Sequence, residues 1–191
     1  MPKDVDGIVL WTKNATLLLG KINNLEAYKY YFQYSITPYH NDIEQGVVDK
    51  RVEVIPTFIE FSKRIGAERM ICRYDPIVIT GRYSADYHIK AFARLCELLE
   101  GSAHKCVFSF VVSYKSVAKR LRQLGHKELS IQEKMELAEA MFRIAQKHGI
   151  TLCVCCELVE LAQTGVQPIS CVDAALFGIA VPRDKKGAIA L

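Results

Sequence analysis

Short apolar runs of strand character alternate along the chain with longer segments whose apolar residues recur at helical spacing. Ile8 to Trp11, Tyr30 to Ile36, Met70 to Tyr74, Lys105 to Val112 and Thr151 to Cys156 are aromatic or β-branched runs of strand length. A helix is expected over Thr16 to Glu26. A polar loop through Asp42 to Val48 follows the second strand, with Gly46 as its turn residue. From Asp49 to Ile65 the residues Val52, Ile55, Phe58, Ile59 and Phe61 fall near one helical face; Pro56 marks a start or a kink, and Gly66 closes the segment. Ser84 suits the N-cap of a helix reaching Leu99, with Ile89, Phe92, Leu95, Leu98 and Leu99 as its buried stripe. Two helices, Ser116 to Leu124 and Ser130 to His148, part at Gly125, and the second opens with the capping-box pattern Ser130-Ile131-Gln132-Glu133. The tail from Leu158 to Leu191 is punctuated by Gly165, Pro168, Gly178, Pro182 and Gly187 and is expected to hold at most one short helix, near Asp173 to Phe177.

Strict alternation of strand and helix implies right-handed crossovers and a parallel sheet. Five strands are too few to close an eight-stranded barrel, so part of a barrel, an open barrel or a small doubly wound sheet all fit. The expected fold class is α/β, a partial or open TIM-like (β/α) barrel with about five parallel strands alternating with helices. In such a sheet the carboxyl ends of the strands share one face, which is where ligands bind.

The polar clusters at those ends supply the candidate ligand-binding residues. Lys13 and Arg73 offer fixed positive charge for a carboxylate or phosphate, Arg with bidentate geometry and Lys as a point charge. Asp75 and Glu157 could orient that Arg, act as bases or bind sugar hydroxyls. Asn14, Gln33, Thr37, Tyr39, Ser109 and Tyr114 are neutral donors and acceptors, and Trp11 could stack on a flat ring. Each has a plainer reading beside it. Arg73 and Asp75 could form a structural ion pair, Trp11 could be core, Tyr39 and Tyr114 could cap loops, and Asn14 could cap a helix. His40 and His88 are lone histidines without partner spacing.

At 191 residues, half of them hydrophobic, the chain is expected to form a single α/β domain over 1–191. Its net charge of +4 comes from interleaved basic and acidic residues, so no nucleic-acid partner is expected; a small-molecule ligand is, and the oligomeric state is left open. No run approaches the roughly 20 apolar residues of a membrane span, and the start Met1-Pro2-Lys3-Asp4 is polar, so a cytoplasmic protein without membrane contact is expected. Seven cysteines, an odd number, then read as reduced thiols. Cys155, Cys156 and Cys171 are weaker metal candidates, because alternation on one strand puts Cys153 and Cys155 on one side and turns Cys156 away.

Several strand-end motifs carry a resemblance. Val5-Asp6-Gly7-Ile8-Val9-Leu10-Trp11-Thr12-Lys13-Asn14, then Tyr31-Phe32-Gln33-Tyr34 with Thr37-Pro38-Tyr39, then Arg73-Tyr74-Asp75-Pro76-Ile77 resemble an uncharacterised bacterial family of domains of unknown function. The resemblance extends through Ser109-Phe110, Cys156-Glu157 and Cys171-Val172-Asp173. It implies a barrel-like fold whose full-length members are similar to radical S-adenosylmethionine proteins, with a CxxxCxxC cluster near the C-terminus. This chain has no CxxxCxxC spacing, and Arg183-Asp184-Lys185-Lys186 stands where the approach to it would be. The resemblance therefore implies the central part of a longer barrel, lacking N-terminal and C-terminal segments. The chain alone would bind no cofactor, while an iron-sulfur cluster and S-adenosylmethionine would belong to full-length relatives. The functional expectation is the barrel portion of an iron-sulfur, radical S-adenosylmethionine-like enzyme; the alternative is a stand-alone module binding a small anionic or hydroxylated ligand at the strand ends. Whether it is an enzyme is left open.

Overall fold

The computed structural model describes residues 4–155 and 159–178. Six strands form one sheet: β1 (Ile8–Thr12), β2 (Tyr30–Ser35), β3 (Met70–Ile77), β4 (Lys105–Phe110), β5 (Thr151–Cys155) and β6 (Gln167–Ile169). Every neighbouring pair is parallel and the strands lie in sequence order. Among the described residues the α-helices are α1 (Ile55–Ile65), α2 (Ala85–Leu99), α3 (Lys115–Gln123) and α4 (Ile131–Lys147). Right-handed crossovers that always step to the next strand in the same direction put the helices on one face, as in a (β/α) barrel. The sheet stays open between β1 and β6, so the architecture is α/β and open-barrel-like. Among the described residues no helix is long and apolar enough to cross a membrane.

Strand alternation divides the core. Phe32, Tyr34, Met70, Cys72, Phe108 and Val154 point to the helical side and pack with Phe58, Phe61, Phe92 and Met141. The opposite, inner face carries Tyr31, Ile71, Val107, Cys153 and Cys155, packed against Phe177. Phe177 arrives from the tail, where a short 3-10 helix (Ala174–Phe177) lies beneath the inner face. Its ring meets Tyr31 at 5.2 Å between centroids, Lys105 pairs with Asp173 at 2.8 Å, and Lys29 Nζ donates to the Phe177 carbonyl. Residues 171–178 thus cover, as a strap, an apolar face that further strands would cover in a closed barrel.

Several elements differ from the sequence expectation. A sixth strand exists, only three residues long and containing Pro168, which an edge strand tolerates because one side of its backbone needs no partner. Thr16–Leu25 is a 3-10 helix rather than an α-helix; Gly20, Asn23 and Asn24 weaken α-helical preference there. Ahead of α1, Lys50–Val54 forms a π-helical turn capped by the Asp49 carboxylate, which accepts from the amides of Arg51 and Val52. Pro56 has no N–H to return to the preceding turn, so regular α geometry takes over only from there onward. Among the described residues the tail already holds two short helices, Val159–Thr164 and Ala174–Phe177, where at most one is expected. Trp11 is not core: it is 52% exposed on the edge strand β1.

Candidate functional site

Inner-face positions near the carboxyl ends of β2, β3, β4 and β5 bring Gln33, Arg73, Asp75, Ser109 and Cys155 together. Arg73, only 6% exposed, is the hub. Its Nε and Nη2 both donate to Asp75 Oδ2, at 3.0 and 2.6 Å. Nη1 donates to Gln33 Oε1 at 3.2 Å and Nη2 to Cys155 Sγ at 3.2 Å. Ser109 Oγ donates to the other oxygen of Asp75. Gln33 in turn gives its amide to the Cys171 carbonyl at 3.0 Å, tying the cluster to the tail strap.

The charges in this cluster balance. Burial works against the Arg73 cation, but the adjacent Asp75 carboxylate more than offsets it and holds the guanidinium firmly protonated. Burial pushes the Cys155 thiol up to about 12 even beside Arg73, so it accepts Arg73's N–H as a neutral thiol. Four of the five guanidinium hydrogens are committed, leaving one on Nη1. With its cation matched and all but one of the Arg73 donors committed, the cluster offers oriented carboxylate and hydroxyl oxygens rather than an unopposed positive charge.

Other sequence-selected residues stand elsewhere. Lys13 gives its ammonium to Glu44, which also takes Lys50 at 2.5 Å. Asn14 donates to Glu53 at 2.7 Å and accepts from the amide of Thr16, acting as a local cap. Tyr39 is buried, donating to the Pro76 carbonyl and accepting from the Val78 amide, both at 2.7 Å, and burial raises its phenol far above the ordinary value. That locks it as a brace between the β2 loop and the end of β3, where the Asp75–Pro76 peptide is cis. Thr37 is buried in the same loop. Tyr114 is 66% exposed at the start of α3 and makes no side-chain cap. Trp11 stands beside Gln33 in the β1–β2 register, at the open edge of the sheet. Glu157 and Cys156 lie outside the described residues.

Cys155 as the thiol touching Arg73 was not assigned from sequence; its place two residues beyond Cys153, on the inner face of β5, was the available signal. Nothing local to Glu44 distinguishes it in the sequence. His88 is fully buried between Tyr74 and Val78: its Nδ1 lies 3.0 Å from the Tyr74 hydroxyl and its Nε2 3.3 Å from the Val78 carbonyl. It is a neutral strut of the core. Among the described residues no three His, Cys, Asp or Glu side chains group as a metal-ligand set.

Fold and site together define an α/β protein of the open, barrel-like kind, with a polar cluster on the inner face at the strand ends. The chain belongs to the family described as Domain of unknown function (DUF1848), whose model matches residues 1–188. No curated protein and no solved structure matches it significantly.

Proposed function

We propose that the protein binds a small hydroxyl-bearing molecule at the strand-end mouth, with Asp75 and Ser109 as its contacts and Arg73 and Gln33 as their positioning residues. The observation that carries this reading is the position of the Asp75 carboxylate. Arg73 and Ser109 fix its orientation, yet its side chain keeps 20% of its exposure where that of Arg73 keeps 7%. Vicinal hydroxyls suit such a site, because one can donate to the Asp75 carboxylate and the other to the Ser109 oxygen, whose own hydrogen is already given to Asp75. A strongly anionic ligand fits less well, since Arg73 is already matched by Asp75 and Lys13 by Glu44.

A role as the barrel portion of an iron-sulfur, radical S-adenosylmethionine-like enzyme draws support from the motif resemblance and from the open-barrel architecture. Among the described residues the cysteines do not fit a cluster: Cys153 and Cys155 are buried, Cys155 is engaged by Arg73, and no three Cys, His, Asp or Glu side chains group together. No step is drawn through a cluster. S-adenosylmethionine itself carries a ribose diol, the chemistry the mouth suits, and is the first probe to use.

Saturation-transfer NMR with S-adenosylmethionine, ribose and a panel of small polyols should reveal a binder that Asp75→Asn and Ser109→Ala weaken at least tenfold. Ser109→Ala should keep the wild-type melting temperature to within a few degrees. A panel without binders, or binders indifferent to both substitutions, would overturn the proposal.

A further inference from the structure

A groove of about 900 Å³ opens on the other side of the sheet, between the loop joining β2 to α1 and the outer surface of α2. Its volume lies in the range of small-molecule sites. The floor is apolar: Ile36, Ile55, Tyr74 and Leu95 are buried beneath it, and Leu98 is partly covered. The walls are polar and unevenly charged. Lys50, Arg51, Lys90 and Arg94 stand against only two carboxylates, Glu44 and Asp49.

Both carboxylates are already occupied, Glu44 by Lys13 and Lys50 and Asp49 by the amides capping the π-helical turn. Arg94 pairs with Glu97 on the surface. Arg51 and Lys90, both exposed, make no ion pair among the described residues, one on each wall. Thr37 lines the groove as well, with its hydroxyl buried against the Glu44 carboxylate and helping to hold that carboxylate charged.

We propose that this groove is a binding site for a small anionic amphiphile, a phosphate or carboxylate head on an apolar chain. The head sits between Arg51 and Lys90, and the chain lies over Ile55, Leu95 and Leu98. The site is separate from the strand-end mouth on the opposite face and stands independently of the function proposed there.

Isothermal titration with octyl phosphate below its micellar concentration tests it, with octanol and inorganic phosphate as the two half-ligands. Saturable binding of octyl phosphate is expected, with each half-ligand at least tenfold weaker. The double substitution Arg51→Gln/Lys90→Gln, at exposed positions, should weaken octyl phosphate at least tenfold without lowering the melting temperature. Absence of saturable binding, octanol binding as tightly as octyl phosphate, or charge variants that bind like wild type would each overturn the proposal. Sedimentation with phosphatidylglycerol vesicles without binding of dispersed octyl phosphate would overturn it too, in favour of a basic membrane-facing surface.

Discussion

His88 is a base that the fold keeps uncharged: burial pulls its pKa from 6.5 to about 4, and the Val78 carbonyl compensates only in part. Between those values the unfolded chain binds a proton that the folded chain does not, so stability falls as pH drops from about 6.5 towards 4. The full effect is on the order of 3 kcal/mol. Urea unfolding at stepped pH should show that slope in the wild type and a flatter one in His88→Gln; coincident slopes would place the titrating group elsewhere. Arg73 carries a different kind of dependence. Deleting it leaves the Asp75 carboxylate with Ser109 alone and Gln33 without its donor, so Arg73→Ala should lose about 2 to 3 kcal/mol in denaturant melts. Arg73→Lys should recover only part of that, because an ammonium cannot reach Asp75, Gln33 and Cys155 at once. The pairing of Arg73 with Asp75 was legible in the sequence, two residues apart at a strand end. The burial of His88 was not, since a lone histidine on an amphipathic helix looks the same whether its face meets water or the core.

Elements with strong local signals were the ones the sequence disclosed. Helix α2 starts after Ser84, whose hydroxyl accepts from the Tyr87 amide, and α4 opens on the reciprocal Ser130 and Glu133 capping box. Ser130→Ala should lower stability by about 1 kcal/mol, readable as a reduced urea midpoint at unchanged slope. The five longer strands announced themselves by composition, whereas β6 was hidden because three residues including a proline carry no periodicity. The strap was hidden for a related reason: its packing comes from residues distant in sequence. Gly7 shows this, for a methyl group there would lie 2.3 Å from the Phe177 ring, some 170 positions along the chain. Gly7→Ala must therefore displace Phe177 from Tyr31 and should cost about 1 to 3 kcal/mol, the usual range for overpacking. Pairing it with Phe177→Ala should largely relieve the clash, and a double-mutant cycle showing no coupling would refute the contact.

At the scale of the whole molecule, an open sheet has to solve two problems that a closed barrel avoids: exposed edges and an uncovered inner face. The short, proline-bearing β6 limits one edge. The inner face is handled by the strap, whose attachments run across the sheet: Lys29 just before β2, Tyr31 and Gln33 within it, and Lys105 at the start of β4. The strap also reaches the candidate site, because the Gln33 side chain that binds the Cys171 carbonyl is the one that receives Arg73. Loosening the strap should consequently loosen the site before the sheet. Lys105→Met removes the partner of Asp173 at a position where the methionine chain keeps much of the packing. Hydrogen exchange should then show faster exchange at the Asp173 amide, which donates to the Tyr31 hydroxyl, while amides in β3 and β4 keep wild-type protection. Equal acceleration throughout the sheet would mean that strap and sheet open as one cooperative unit, and that the inner face cannot be uncovered without global unfolding.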